Sequence, residues 1–240
     1  MKKQTLYRNL AEIYDLIYEK KNYQNEVDKI LKIINKYKET KGRELLDVAC
    51  GTGKHLRYLK NKFNCTGLDI NQGILKIAKD NIKGVKFQKA DMISFNLEKK
   101  FDIITCLFSA IGYLKSDQNL KKTIQNFGRH LKVGGVIIIE PWFSKEKYKI
   151  GTPHLSIYDG KDIKIARVSV SKLKRNLTII DMNYLIAERG KEVKYYVDRH
   201  ELLLTNKKKF LRYMKEANFK AKFLSKGLIL HRGVFIGIKK

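Results

Sequence analysis

Residues 44–59, ELLDVACGTGKHLRYL, constrain the fold more than any other part of the chain. An apolar run closes on Asp47-Val48-Ala49, a turn follows at Gly51-Thr52-Gly53, and a helix-like pattern begins at Lys54. That order predicts a buried strand running into a tight turn at a helix start. Glycine admits positive φ or a backbone surface free of side chain, and a helix start offers unpaired N–H groups. In open α/β sheets such a turn receives a nucleotide or nucleoside.

The unit repeats. Residues 45–49, 65–68, 85–88, 101–107 and 136–139 read as strands, with helices at 53–60, 73–79 and 120–131. Their Ile/Val/Leu runs do not alternate with polar residues, so the strands are expected to be covered on both faces by crossover helices. After Trp142 the period becomes two. Segments 154–158, 163–173, 177–187 and 193–204 alternate, separated by Asp159-Gly160, Lys174-Arg175-Asn176 and Glu188-Arg189-Gly190. They predict an antiparallel meander of three long strands and one shorter. A helix over 206–216 with Asn206 as N-cap and strands at 220–225 and 234–238 complete the chain. The expected fold class is α/β: a Rossmann-like, doubly wound, mostly parallel sheet with an inserted antiparallel strand layer. Residues 1–143 and 205–240 would form the sheet domain, and 144–204 the insertion roofing its carboxyl edge. Near the start, 25–37 is an amphipathic helix ended by Gly42. Tyr7, Tyr14, Tyr18 and Tyr23 either pack an N-terminal helix or form a lid over a pocket.

Composition excludes several classes. With 43% hydrophobic and 31% charged residues the chain reads as soluble. No apolar run nears the roughly 20 residues of a membrane span, and MKKQTLYRNLAEIYD lacks a signal core, so a cytoplasmic protein is expected. Cys50, Cys65 and Cys106 form no C-x-x-C and the histidines have no metal-ligand spacing, which suggests neither disulfide nor metal. The net charge of +27 attracts anions. Lysine is spread over nearly every helix and loop, which favours a solvated surface over a nucleic-acid partner.

Three acids stand at successive strand ends: Asp47, Asp69 and Asp91. Each alone would be a turn acid; together they favour a nucleoside, with Asp69 placed to accept both ribose hydroxyls. The turn is not G-x-G-x-x-G, and Asp47 would repel the phosphates of a dinucleotide. A ligand with an ammonium group and a positive sulfur suits it, which points to S-adenosylmethionine.

LLDVACGTG, GLDI, ADM, FDIITCLFSAIGYL and LKVGGVIIIEPW resemble the successive motifs of class I S-adenosylmethionine-dependent methyltransferases. With AEIYDLIY, ARVSVS and HRGVFIG the likeness narrows to N,N-dimethyltransferases of nucleotide-linked (dTDP) deoxyamino sugars. The resemblance implies that Asp47, Ala49, Gly51 and Gly53 surround the methionyl part, and that Asp69 and Ile70 meet the ribose. Asp91 and Met92 would meet the adenine. Tyr14 and Tyr23 would close over the sulfonium, and Phe108, Ser109 and Tyr113 would face the methyl and the acceptor amine. Trp142 would wall the acceptor pocket and Arg232 bind its pyrophosphate. It implies Tyr14 and Tyr113 as catalytic groups, although the family pattern has histidine where this chain has Tyr113, IGYL for IGHL. Glu140 reads either as a hydrogen-bond partner behind the site or as a polar strand terminus, and His231, beside Arg232, could face the acceptor phosphates. An exposed edge or apolar face in the insertion would favour a homodimer. Methylation of RNA or another small amine, and a non-catalytic nucleic-acid-binding protein, stand as alternatives; LFSAIGYL after the fourth strand lacks the Pro-Pro-Tyr signature of base amino-methylating enzymes.

Overall fold

A computed structural model describes residues 11–228 and 232–240. Tyr7 and His231 lie outside the described residues. The first helices are α1 (Ala11–Ile17) and α2 (Tyr23–Tyr37), the latter capped by Asn22, whose side chain accepts from Asn25 N–H. A seven-stranded sheet then forms from β1 (Glu44–Val48), β2 (Asn64–Asp69), β3 (Lys86–Lys89), β4 (Phe101–Cys106), β5 (Leu131–Ile139), β10 (Phe219–Leu224) and β11 (Val234–Lys239). Its order is β10-β11-β5-β4-β1-β2-β3, with β1 to β5 mutually parallel and β11 antiparallel to both neighbours. The order reverses between β1 and β4, which is where open α/β sheets hold ligands.

Adjacent apolar residues in these strands point to opposite faces, so each run feeds two cores. Leu46, Ile104 and Ile137 pack beneath α5 (Asp117–His130) and α6 (Lys207–Glu216); Leu45, Ile103 and Val136 pack beneath α2 and α3 (Leu56–Leu59). Helix α4 (Gln72–Asn81) joins β2 to β3. Asn206 caps α6 by accepting from Lys209 N–H.

The second sheet is an antiparallel meander, β6 (His154–Asp159), β7 (Ile163–Lys174), β8 (Leu177–Glu188) and β9 (Lys194–Leu203), in that order. One face packs α1: Ile13 joins Ile165, Tyr184 and Ile186 in a third core. Both sheets match the architecture expected from the sequence.

Two local expectations need correction. The helix after β1 is one turn, Leu56–Leu59, not the segment 53–60, because the preceding turn spends more residues rounding the strand end. Gly42 does not end α2, which stops at Tyr37; a Cβ at Gly42 would lie 2.3 Å from the Asp102 carboxylate, so this glycine makes room for that side chain.

Candidate active site

A cavity of about 1240 Å³ opens at the carboxyl ends of β1 and β4 and continues along the meander. Asp47 is buried on its wall, 2% exposed, and accepts a 2.7 Å hydrogen bond from Thr105 Oγ1 on the neighbouring β4. Burial pushes its carboxyl up to about 6, against the opposing pull of His55 and Thr105. Asp69 closes β2 and is held by two backbone donors, Gly51 N–H to Oδ2 and Asn71 N–H to Oδ1, both at 2.9 Å. Burial raises its pKa as well. Each oxygen retains a further acceptor site, so the carboxylate can still take two hydroxyls.

The turn between these acids is conformationally costly. Ala49 has φ 57°, a left-handed conformation worth about 1–2 kcal/mol for a residue with a Cβ. Gly51 (φ 58°) has open space where a Cβ would stand, so the backbone there is bare to the cavity. Gly53 (φ 78°) does not line the cavity: its Cβ would meet Ile82 Cδ1 at 2.6 Å. One glycine exposes backbone and the other permits packing.

Tyr14, Tyr23, Ile70, Met92, Phe108 and Tyr113 also line the cavity. Tyr14 both packs the third core and faces the cavity, so the two readings of the tyrosine cluster are both realised in it. Burial and the phenols of Tyr18, Tyr23 and Tyr113 hold Tyr14 well above the usual tyrosine range. Asp91 stays off the wall; its Oδ1 accepts from Ile93 N–H at 2.8 Å, closing the turn that presents Met92.

Ser109, Trp142 and Arg232 gather in a corner behind Phe108 rather than on the cavity wall. Phe108 and Ser109 are left-handed, φ 50° and 62°, which bends the chain sharply after β4. Glu140 fixes that bend: buried at the end of β5, it accepts from Phe108 N–H at 2.7 Å. Burial raises its pKa and Arg232 opposes the rise. Arg232 Nη1 donates to Ser109 Oγ at 2.9 Å, and its guanidinium lies 5.0 Å from the Trp142 ring and 4.9 Å from Phe143. Trp142 Nε1 donates to Thr178 Oγ1 on β8 at 3.0 Å, tying the corner to the meander.

Some residues of this region were not anticipated in functional roles. Thr105 is one of two polar residues inside the buried run FDIITC, with Asp102, a legible signal. His55 lines the cavity and sits 2.7 Å from Glu26, which Lys21 also contacts. Tyr113 Oη is 2.6 Å from His200 Nδ1, and His200 Nε2 is 2.8 Å from Asp198 Oδ2. Asp198 and His200 share the strand parity of Leu202, which marks them as inward-facing polar residues. Among the described residues no cluster of His, Cys, Asp or Glu is arranged to hold a metal, and no helix is long and apolar enough to cross a membrane.

A family model described as a methyltransferase domain matches residues 45–135. The chain is 31% identical over 231 residues to dTDP-3-amino-3,4,6-trideoxy-alpha-D-glucopyranose N,N-dimethyltransferase of Streptomyces venezuelae, covering 95% of this chain and 97% of that one. The crystal structure of Streptomyces venezuelae DesVI superposes with a TM-score of 0.90 at 30% identity, covering 96% and 98% of the two chains. SAM-bound CalS10, an amino pentose methyltransferase from Micromonospora echinaspora, superposes with a TM-score of 0.86 at 25% identity over 95% and 97%.

Proposed function

Because the chain belongs to the class I S-adenosylmethionine-dependent methyltransferases, in the family of nucleotide-linked deoxyamino-sugar N,N-dimethyltransferases, we propose that it methylates the amino group of a dTDP-linked deoxyamino sugar. The observation that carries this reading is a single cavity running from Asp47 and Asp69 to Tyr113 and the meander. At about 1240 Å³ it exceeds the 300–1,000 Å³ typical of one small ligand, leaving room for donor and acceptor together.

The residues present fit S-adenosylmethionine. Gly51 leaves backbone open to the cavity, Asp47 is ionised above about pH 6 where an ammonium group needs it, and Asp69 has acceptor sites to spare. When bound, the cofactor supplies a methyl carbon made electrophilic by a positive sulfur. Asp47, Ala49 and Gly51 would hold its methionyl part, Asp69 and Ile70 its ribose, and Met92 its adenine, with Asp91 shaping the turn beneath. Gly53 serves the turn by close packing. Tyr14, Tyr23 and Phe108 would cover the reacting end and exclude water, which strengthens the charges inside.

On the meander side Lys115, Lys172 and Arg199 line the cavity, Lys115 paired with Glu201 and Arg199 with Asp181, and a diphosphate could compete with those carboxylates for the two cations. Arg232 keeps Nε buried without a hydrogen-bond partner among the described residues, so its guanidinium has unspent donors for an anion at the Phe108 corner. Ser109 and Trp142 orient it there. Residues 144–204 shape the acceptor wall, and 1–143 with 205–240 hold the cofactor. Leu155, Ile157, Leu185 and Tyr195 form an exposed apolar strip on the meander face opposite α1, the face whose Val168, Asn183 and Val197 line the cavity, which supports a homodimer paired through it beside the cavity.

Two measurements test the reading. Isothermal titration with S-adenosylmethionine should give saturable binding, and folded protein that binds none would sink it. Methyl-transfer assays with dTDP-3-amino and dTDP-4-amino sugars should outpace total RNA; preferential labelling of RNA would transfer the assignment to nucleic acid.

A further inference from the structure

Tyr113 lies in the short 3₁₀ segment Ala110–Leu114 that follows β4 and lines the cavity, whereas His200 and Asp198 lie on the inner face of β9, 3% and 1% exposed. The three form a continuous line: Tyr113 Oη to His200 Nδ1 at 2.6 Å, then His200 Nε2 to Asp198 Oδ2 at 2.8 Å. The Asp198 contact is an ion-pair approach rather than an aligned hydrogen bond; a carboxylate beside Nε2 still favours the tautomer with hydrogen there, which leaves Nδ1 to accept from the Tyr113 hydroxyl. A buried carboxylate beside a buried imidazole carries a desolvation cost that an apolar pair on this sheet face would avoid. The line ends on the cavity at Tyr113. The charged and titratable groups on the elements packed around it are Tyr14 of α1, Tyr184 and Arg167 on the meander's inner face, and the Lys115–Glu201 and Arg199–Asp181 pairs.

We propose that Tyr113, His200 and Asp198 form a proton relay that removes a proton from the acceptor's ammonium group. The inference rests on the amine acceptor proposed above. An aliphatic amine is mostly protonated near neutral pH and then has no lone pair to attack with. Tyr113 alone would be a poor base, because a phenol's reference pKa is about 10. The relay avoids forming phenolate: the ammonium N–H proton passes to Tyr113 Oη as the phenol's own proton passes to His200 Nδ1. The amine keeps the electron pair of the broken N–H bond, Tyr113 ends neutral, and His200 becomes an imidazolium opposite the Asp198 carboxylate. One positive charge has moved from acceptor to imidazole, and the proton returns to water through Tyr113 after product leaves. Tyr113 is the catalytic residue of the set, and His200 and Asp198 act through it as positioning residues.

The test is the pH dependence of kcat on the amino-sugar acceptor for wild type, Tyr113→Phe, His200→Gln and Asp198→Asn. The first two variants should lower kcat about 30-fold at pH 7. That gap should close to about threefold at pH 9.5, where the amine sheds its proton unaided, with little change in either KM. Asp198→Asn should show the same trend at about fivefold. The double variant Tyr113→His, His200→Gln, which puts an imidazole directly on the cavity, should recover kcat to within about threefold of wild type. Independently of any acceptor, Tyr113→Phe should move the His200 ring-nitrogen NMR signals. A loss that is the same at every pH, or unmoved His200 signals, overturns the relay alone. Wild-type enzyme that transfers methyl to no amine overturns the acceptor reading, and the relay falls with it.

Discussion

The two ends of the cavity are built in opposite ways. At the end proposed for the donor, Asp47, Gly51 and Asp69 lie within 23 consecutive residues, and Gly51 N–H donates to the Asp69 side chain. At the end proposed for the acceptor, Tyr113 meets a histidine 87 residues away, and in the corner behind Phe108 Arg232 meets a serine 123 residues away. The donor end is thus a property of one strand–turn–strand unit, which leaves it little freedom to change its ligand. The acceptor end exists only after the meander and the last strands have packed against the turn beyond β4. Substitutions in β6 to β9 can reshape it without disturbing the parallel sheet. This contrast gives a physical reason for a constant donor and a variable acceptor.

The contrast can be broken from the donor side first. Asp69→Ala should weaken S-adenosylmethionine binding about 30- to 100-fold, the worth of charge-assisted hydrogen bonds to a diol at about 2–3 kcal/mol, while leaving acceptor KM unchanged. Calorimetric titration checks it, and unaltered affinity would remove the ribose assignment. Gly53→Ala should cost about 2 kcal/mol of folding stability in denaturant unfolding, from the positive φ and the contact with Ile82. Gly51→Ala should unfold more nearly like wild type yet bind cofactor more weakly. Equal effects of the two alanines on both readouts would erase the distinction between an open and a packed glycine.

From the acceptor side, Arg232→Ala should raise acceptor KM about tenfold with cofactor affinity intact, and Arg232→Lys should recover only part of that because it loses the planar fork. An effect confined to the cofactor would move Arg232 to the other end. The smallest effect concerns Asp47. Cofactor affinity should fall about fourfold between pH 7.5 and 5.5 as a carboxyl with a pKa of about 6 takes up its proton, and Asp47→Asn should flatten that dependence. The sign for stability is the reverse. The folded carboxyl is raised from 3.8, so folded protein holds more proton between about pH 4 and 6 and loses stability as pH rises through that window.

Legibility in the sequence follows the same division. The strands, the alternating meander, the Asn206 cap and the acid-bearing turn are all short-range patterns, and the structure reproduces them with ends shifted by a few residues. Gly53 and Asp91 show where short-range reading stops. Gly53 has the pattern of a ligand-facing glycine but meets Ile82, 29 positions on. Asp91 has the pattern of a ligand acid but turns back on Ile93 N–H. His200 shows the converse. Its strand parity marks it as buried, yet nothing near it in the chain announces Tyr113.

The sequence by itself determined the doubly wound sheet, the late antiparallel layer and the acids at the donor end, because strand period, apolar runs and turn chemistry act over a few residues. Tertiary structure alone decided which glycine bares its backbone, which aromatic residues face the cavity, and that a tyrosine after β4 meets a histidine–aspartate pair on β9. Those outcomes depend on how separately formed layers dock, and no local pattern encodes the docking.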